Sequence, residues 1–444
     1  MDGQRRLVIT LAVEITIPAD GPDFNSLIAA FQQFGDLTQV RLFECFLAAF
    51  EREIGERLIR EHPGRFAWKG RAAARPKRWV LPFGEAVHHY RQMRDRKTRQ
   101  KFYPLMRALS IPPRVRFTAP VLAGPLGLAS ELSFRKAANE AERLQGGRGP
   151  KKSLLWLRFQ GFSESGLDPR PAPNDRIFEV VIADGTKLKR QHQGYGGGLM
   201  DLRLVLSRPR AGGDLQILAF DLEKTWPEFK ARLLAECPGH EVEVLLQDGE
   251  EAIEALADAR TRVQRCLVHG PRGLPFALYQ DGLKKPDQLR FLRLFRRAEA
   301  WRIDANALAE LSDASRYYLR RLIDQAKDVC GELLDRLPLK AVHGRQYLER
   351  FLDDSLSYLR ALVNGEEPFP EVTTNAAENA FSRMDLRLKE IGRRWSLEGA
   401  LNMIRVLLTK IYNRPEWERH LALLAGGPGS VTITTTLHGY AWLP

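Results

Sequence analysis

Cysteine is scarce in this chain. Cys45, Cys237, Cys266 and Cys330 are the only four in 444 residues, and no two form a CxxC pair. That argues against a disulfide framework and a four-cysteine zinc site, and it suits a reducing cytoplasm. Long apolar runs are missing as well: no stretch approaches the roughly 20 residues of a membrane span. The N-terminal run LVITLAVEITI is apolar but contains Glu14 and lacks a small-residue cleavage site. It reads as a strand and not as a signal peptide. Internal repeats and long low-complexity tracts are absent too. Acid is short relative to base, with 55 Asp and Glu against 68 Lys and Arg, a formal net charge of +13. A chain this basic usually meets a polyanion, most often nucleic acid; the plainer reading is a solvated charged surface.

What is present divides into segments. Residues 1–63 hold the first strand and a helical stretch in which Leu27, Ile28, Phe31, Leu42, Phe43, Phe46, Leu47, Phe50 and Ile54 recur at mostly helical spacing. Residues 64–116 are dense in base with aromatics interleaved, and RWVLPFGEAVHHYRQM predicts a hairpin turning near Gly84. Arg75, Lys77, Arg78, Arg94 and Arg96 are its candidate phosphate contacts. Residues 117–168 predict three short helices, Pro120–Glu131, Ser133–Leu144 and Lys151–Phe162. Pro120 suits a helix start and Ser133 a cap. With Lys151 and Lys152 opening the third, this region suggests a helix-turn-helix, although compact three-helix units are common without DNA binding.

Residues 169–285 change character. Three close strands, RIFEVVIAD, MDLRLVLS and LQILAFDL, precede the helix WPEFKARLLAEC, the strand EVEVLLQD, the helix EEAIEALADA and the strand RVQRCLVH. The first three lack the long crossovers that parallel pairing needs, whereas the helix-linked later strands suit it. The fold class is therefore α/β, a ribonuclease-H-like mixed sheet of five strands. An all-helical, basic insertion follows over 286–370, then a helical pair over 371–420 and a Gly/Pro-rich tail with a Thr-rich strand over 421–444.

Three acids carry the chemistry. Asp184 is expected to end the first strand and Asp248 the fourth, and in such a sheet these strands are neighbours. Each Asp-Gly also reads as a simple turn. Glu378 opens an amphipathic helix, where Asn375 three positions earlier has the spacing of a capping box. Gathered together, three carboxylates repel, and two divalent cations remove that penalty; hard oxygen donors select Mg²⁺ or Mn²⁺. Arg393 and Arg394, after the Glu378 helix, suit phosphate or simply the helix dipole. Cys266 and His269 form a lone CxxH pair, which is more often packing than a zinc site.

The segments DGTK at 184–187, QDGEEAIEAL at 247–256, QRCLVHGPR at 264–272 and TTNAAEN at 373–379 resemble the Mutator-like DDE transposases of bacterial and archaeal insertion sequences. The resemblance covers roughly residues 75–415 and includes the Trp226 helix and WSLEGALNMIRVLLTKIYN. It implies that Asp184, Asp248 and Glu378 are catalytic metal ligands. It marks Cys266 and His269 as the family's CxxH pair near the site, with Arg272 as the HxxR arginine. It further implies cleavage at terminal inverted repeats, strand transfer into target DNA by a 3′-hydroxyl, a homodimer or larger synaptic complex, and a prokaryotic, nucleoid-associated location. One departure is GPRGLP after His269, where many relatives have a continuous helix with Arg-Asn. The competing readings are a transposase-derived protein that binds DNA without cutting it, a ribonuclease-H-like nuclease without strand transfer, and a basic structural protein with coincidental acids.

Overall fold

The computed structural model describes residues 24–70, 75–109, 111, 115–191, 198–302, 313–366, 371–392 and 394–425. The expected N-terminal and Thr-rich C-terminal strands and Arg393 lie outside these residues. The chain forms two compact units, Met1–Phe159 with Arg419–Pro444, and Gln160–Glu418.

The first unit is built on helix α1 (Phe24–Glu61). Val40, Leu47 and Ile54 are buried on it at seven-residue intervals, which keeps them on one stripe. The stripe packs against a hairpin of β2 (Arg75–Leu81) and β3 (Gly84–Tyr90), sharing a core with Trp79, Leu81, Ala86, Tyr90 and Leu105. The hairpin closes at Leu81 and Gly84, as the sequence suggested. A small antiparallel sheet joins β1 (Phe66–Trp68), β4 (Met93–Asp95) and β5 (Lys101–Phe102). Helices α2 (Pro104–Ala108), α3 (Ala119–Ala129), α4 (Phe134–Leu144) and α5 (Lys152–Glu164) follow, the last ending beyond the unit's boundary. Ser133 caps α4, its hydroxyl accepting from the Lys136 N–H at 3.2 Å.

The second unit holds a mixed sheet of five strands in the order β10-β9-β6-β7-β8. These are β6 (Val180–Lys189), β7 (Leu199–Arg208), β8 (Gln216–Leu222), β9 (Val244–Gln247) and β10 (Arg262–Arg265). The hairpin-linked β6, β7 and β8 pair antiparallel, whereas β9 and β10, reached after longer connections, pair parallel to β6 and to each other. Helix α6 (Trp226–Glu236) starts with a reciprocal cap between Thr225 and Glu228 and lays Trp226, Phe229 and Leu233 on one face of the sheet, against Val181, Ala183, Val205 and Leu245. Because strand side chains alternate, Val180, Ile182 and Asp184 face the other way.

Beyond β10 come α7 (His269–Gln280), α8 (Lys285–Phe295), α9 (Asp313–Arg336), α10 (Val342–Ser355) and α11 (Ser357–Val363). Gln264 fastens this helical block to the sheet edge, donating to the Ser355 carbonyl at 2.9 Å and accepting from the Tyr358 N–H at 2.9 Å. The chain returns in α12 (Asn375–Asp385), which packs against β6 and β7 and runs into a π-helical turn over Leu386–Ile391. Then α13 (Leu397–Tyr412) packs against β8, and α14 (Arg414–Ala425) ends the described chain.

Four local expectations change. Asp184 does not end its strand: β6 continues to Lys189, and Asp184 pairs with Leu204 of β7. Pairing along the full length of β7 overrides the turn preference of Asp-Gly at this site. EEAIEALADA forms only a 3₁₀ helix, Glu251–Leu256, with Ile253 and Leu256 pressed into the sheet core. His269 is the first residue of α7, and GPRGLP continues that helix through Pro275. Asn375 lies inside α12 and no side chain caps that helix, so Glu378 is not the partner of a capping box.

Gly270 sets how closely α7 meets α10. A Cβ there would lie 2.1 Å from the Phe351 ring, which is fully buried. The helix gains about 0.5–1 kcal/mol from alanine over glycine, but overpacking a core typically costs about 1–3 kcal/mol. Gly270→Ala is therefore expected to lower stability in denaturant titration, and Phe351→Leu in the same chain to recover part of the loss.

Candidate active site

Strand pairing brings the two aspartates together. The parallel register matches Val180 with Val244, Val181 with Leu245 and Ile182 with Leu246. That pairing ends two residues before Asp184 and Asp248, so both aspartates follow the paired stretch at equal spacing. Asp184 is buried within β6, while Asp248 stands half-buried just past the end of β9. There the chain leaves the sheet: the Glu250 N–H donates to Asp248 Oδ1 at 2.9 Å, and Gly249 takes a φ of +113°. The second Asp-Gly is thus a turn and the first is not.

Glu378 arrives on α12, over the face of β6 that carries Asp184. The Lys389 ammonium at the π-helical turn bonds Thr186 Oγ1 at 3.1 Å, two residues along from Asp184 on that face. Glu378 Oε1 lies 3.5 Å from His269 Nε2 and 3.9 Å from an Arg272 guanidinium nitrogen. His269 is held from behind: Thr374 Oγ1 is 3.4 Å from its Nδ1, and the Thr374 N–H donates to Cys266 Sγ at 3.3 Å. Cys266 and His269 therefore connect to the acidic site through Glu378 and Thr374, a role that neither simple packing nor zinc ligation describes.

The charges of Asp248 and Glu378 act on Asp184. Burial pushes the Asp184 carboxyl up to about 7, and the charges of Asp248 and Glu378 push the same way, against a hydrogen bond from the Gly185 N–H and the nearby His269. His269 is raised by its hydrogen bond to Cys266, against burial, with help from the charges on Cys266, Asp248 and Glu378. Burial alone would raise the Cys266 thiol, but hydrogen bonds from His269 and Thr374 outweigh it and hold the thiol below its usual value.

These residues fit a divalent cation. Among the described residues Glu378 Oε1 is buried without a hydrogen-bond partner, and burial with its carboxylate neighbours disfavours the charged form of Asp184. Both conditions call for positive charge, and the donors are all hard oxygens. Among the described residues no three His, Cys, Asp or Glu side chains are drawn together as a ready-made cage.

The remaining sequence candidates fall on the surface or into packing. Arg75, Lys77 and Arg78 lie on β2. The Lys77 ammonium is buried over the Trp79 and Tyr90 rings at 5.6 and 5.8 Å and lacks a hydrogen-bond partner, so it packs inward. Arg78 is exposed, 3.6 Å from Glu85. Arg94, Arg96, Lys152 and Arg394 are exposed, and so is Lys151, which pairs with Glu142 at 2.6 Å. Sequence reasoning missed Thr374, Lys389 and Arg265. Thr374 and Arg265 lie within TTNAAEN and QRCLVHGPR, but the contacts that give all three their roles are to partners distant in sequence. Among the described residues no helix is long and apolar enough to cross a membrane. The chain matches no family model, and no curated protein matches it.

The raised Asp184 carboxyl has a signed consequence. The unfolded chain ionises at an ordinary carboxylate value near 3.9 and the folded one only near 7. Stability is thus fully present below about pH 4 and is lost as pH rises through 7, by a few kcal/mol. Asp184→Asn, whose amide oxygen still accepts from the Gly185 N–H, is expected to raise the Tm of the metal-free protein at pH 8 and to change it little at pH 4. Mg²⁺ or Mn²⁺ at pH 8 should raise the wild-type Tm and leave the variant's unchanged.

Proposed function

We propose that this chain is a DDE transposase, with residues 160–418 as a ribonuclease-H-like catalytic domain interrupted by a helical insertion. The observation that carries the reading is that Asp184 and Asp248 each follow, two residues on, the paired stretch of adjacent parallel strands, with Glu378 on α12, which packs against β6. The sheet supports it: numbered along the chain, its strands run 5-4-1-2-3, the first three antiparallel and the last two parallel to the first. The reading of coincidental acids predicts carboxylates scattered beyond metal-sharing distance, and the action of the Asp248 and Glu378 charges on Asp184 weighs against it.

Asp184, Asp248 and Glu378 would hold two Mg²⁺ or Mn²⁺ ions, which supply activation of an attacking water or 3′-hydroxyl and neutralisation of the leaving oxygen. The side chains divide the remaining work. Asp184, held mid-strand by its pairing with Leu204 of β7, is the fixed point of the site. Asp248, on a turn, has room to adjust. Glu378 is kept facing the aspartates by His269 and Arg272, and His269 is oriented in turn by Thr374 and Cys266. Arg272, exposed at the rim, is placed to meet a phosphate approaching the acids.

The basic insertion supports a nucleic-acid substrate. Arg290, Arg293, Arg297 and Arg336 line an open groove of about 810 Å³ with Phe291 and Leu294. Such a surface suits a phosphate backbone, while the exposed bases of the first unit give further contacts. Double-stranded DNA, at the terminal inverted repeats and at the target, is the proposed partner, and strand transfer between two ends calls for a dimer or larger assembly.

Two experiments test this. Wild-type protein with Mg²⁺ or Mn²⁺ should nick DNA carrying the element's ends and join them to a target, and Asp184→Asn should abolish both steps while still binding DNA. Undiminished cleavage by that variant would refute the site. Binding without any cleavage by the wild type would favour a silent DNA-binding protein, and cleavage without joining a simple nuclease. Independently, replacing Arg290 and Arg293 by Gln should reduce the slope of log affinity against log salt by about 2, close to 0.9 for each phosphate that is no longer neutralised.

A further inference from the structure

A second cavity adjoins the acidic site. It holds about 330 Å³ between the turn after β9, helix α7 and helix α10, and Asp248 is in its wall. That is the small end of the range for ligand cavities, about 300–1,000 Å³, with room for a single nucleoside and none for a duplex.

Its central group is Arg265, the last residue of β10. The side chain is 8% exposed, with its guanidinium 4.5 Å from the Tyr347 ring centre and 5.5 Å from that of Phe351. Among the described residues its guanidinium has no hydrogen-bond acceptor, and Nε is buried and orphaned. The turn is shaped around it: a Cβ on Gly249 would lie 2.3 Å from an Arg265 guanidinium nitrogen. A buried donor left unsatisfied costs about 1–3 kcal/mol, more when charged, so this one points to a ligand that brings acceptors.

The charge of the lining decides what kind. Among the described residues Asp248, Glu251, Glu254 and Asp354 line the cavity with Arg265, Arg350 and His343, Arg360 also acts on Asp354, and Arg350 is already paired with Glu251 and Glu254. A phosphate here would meet an excess of carboxylates. A neutral ligand with adjacent acceptors and adjacent donors meets no such penalty. We propose that this cavity receives a guanine base extruded from the nucleic acid handled at the neighbouring acids, a proposal that rests on the function argued above. Guanine offers O6 and N7 side by side to an arginine fork, and its N1–H and amino group can donate to Asp354, whose carboxylate has no hydrogen-bond partner among the described residues. Phe276, 63% exposed in the wall, can stack on the base.

The test is saturation-transfer NMR of the full chain, free of divalent metal, with dGMP, dAMP, dCMP, TMP and inorganic phosphate as probes. Transfer to guanine H8 is expected at millimolar dGMP, stronger than to the other three bases and unchanged by excess inorganic phosphate. Arg265→Lys, which keeps the charge but loses the fork, should weaken dGMP binding about tenfold. Phe276→Ala, at an exposed position where folding is not at stake, should weaken it at least about fivefold. Displacement by inorganic phosphate, equal binding of all four nucleotides, no binding of dGMP, or unaltered binding by Phe276→Ala would overturn the proposal. Because the titration uses neither metal nor cleavage, its failure is separable from that of the catalytic reading. A chain that cuts DNA but ignores dGMP loses only the base pocket; one that binds dGMP but never cuts loses only the transposase.

Discussion

Everything at the candidate site depends on one pairing, β6 beside β9 in parallel. The register that joins Ile182 to Leu246 leaves Asp184 and Asp248 each two residues beyond the paired stretch. Strand alternation then turns Asp184 away from the α6 core and toward α12. A slip of one residue would bury Asp184 against Trp226 and Phe229 and turn Val181 and Ala183 outward, so the apolar face enforces the polar one. The repulsion between the carboxylates is thus imposed by hydrophobic packing. Burial that stabilises the sheet as a whole leaves Asp184 with a carboxyl that ionises only near neutrality.

The third acid is positioned by different means. Glu378 is 130 positions from Asp248 (248 to 378), and the chain between them is the helical block fastened to β10 through Gln264. Because that block begins at His269 and Thr374 lies where the chain returns, the contacts among Cys266, His269 and Thr374 tie the two ends of the insertion together. The CxxH pair sits at a junction. Its nearness to Glu378 follows from the chain's course, since α7 starts just after β10 and α12 starts just after Thr374, which binds both Cys266 and His269.

Much of this arrangement was legible in the sequence, and the failures have physical reasons. The five strands were readable because each is a short apolar run bounded by polar or glycine-rich segments, and their pairing senses followed from connection length. The two Asp-Gly steps were not distinguishable locally. One continues a strand because ten residues of β7 pair with it, and the other turns because β9 has only four strand residues before its partner's register runs out. The Glu251–Leu256 segment carries a helical pattern, yet Ile253 and Leu256 are held by the sheet core in a tighter 3₁₀ turn. Lys77 read as a phosphate contact because composition does not say which side of a hairpin faces its core. The N-terminal and C-terminal runs and Arg393, which lie outside the described residues, stand as sequence expectations.

Arg265 shows why a site has more parts than its motif. In RCLVH it is one arginine among many, overshadowed by the cysteine and histidine that follow. Its environment is supplied by Tyr347 and Phe351, more than 80 positions later, and by the missing side chain of Gly249. The glycine of the second Asp-Gly therefore answers two demands. Its φ of +113° lets the chain turn at Asp248, and its lack of a Cβ admits the guanidinium beside that turn. The same short step that turns the chain at Asp248 also opens the wall of the adjoining cavity, so the acidic site and the cavity share a backbone turn as well as a residue.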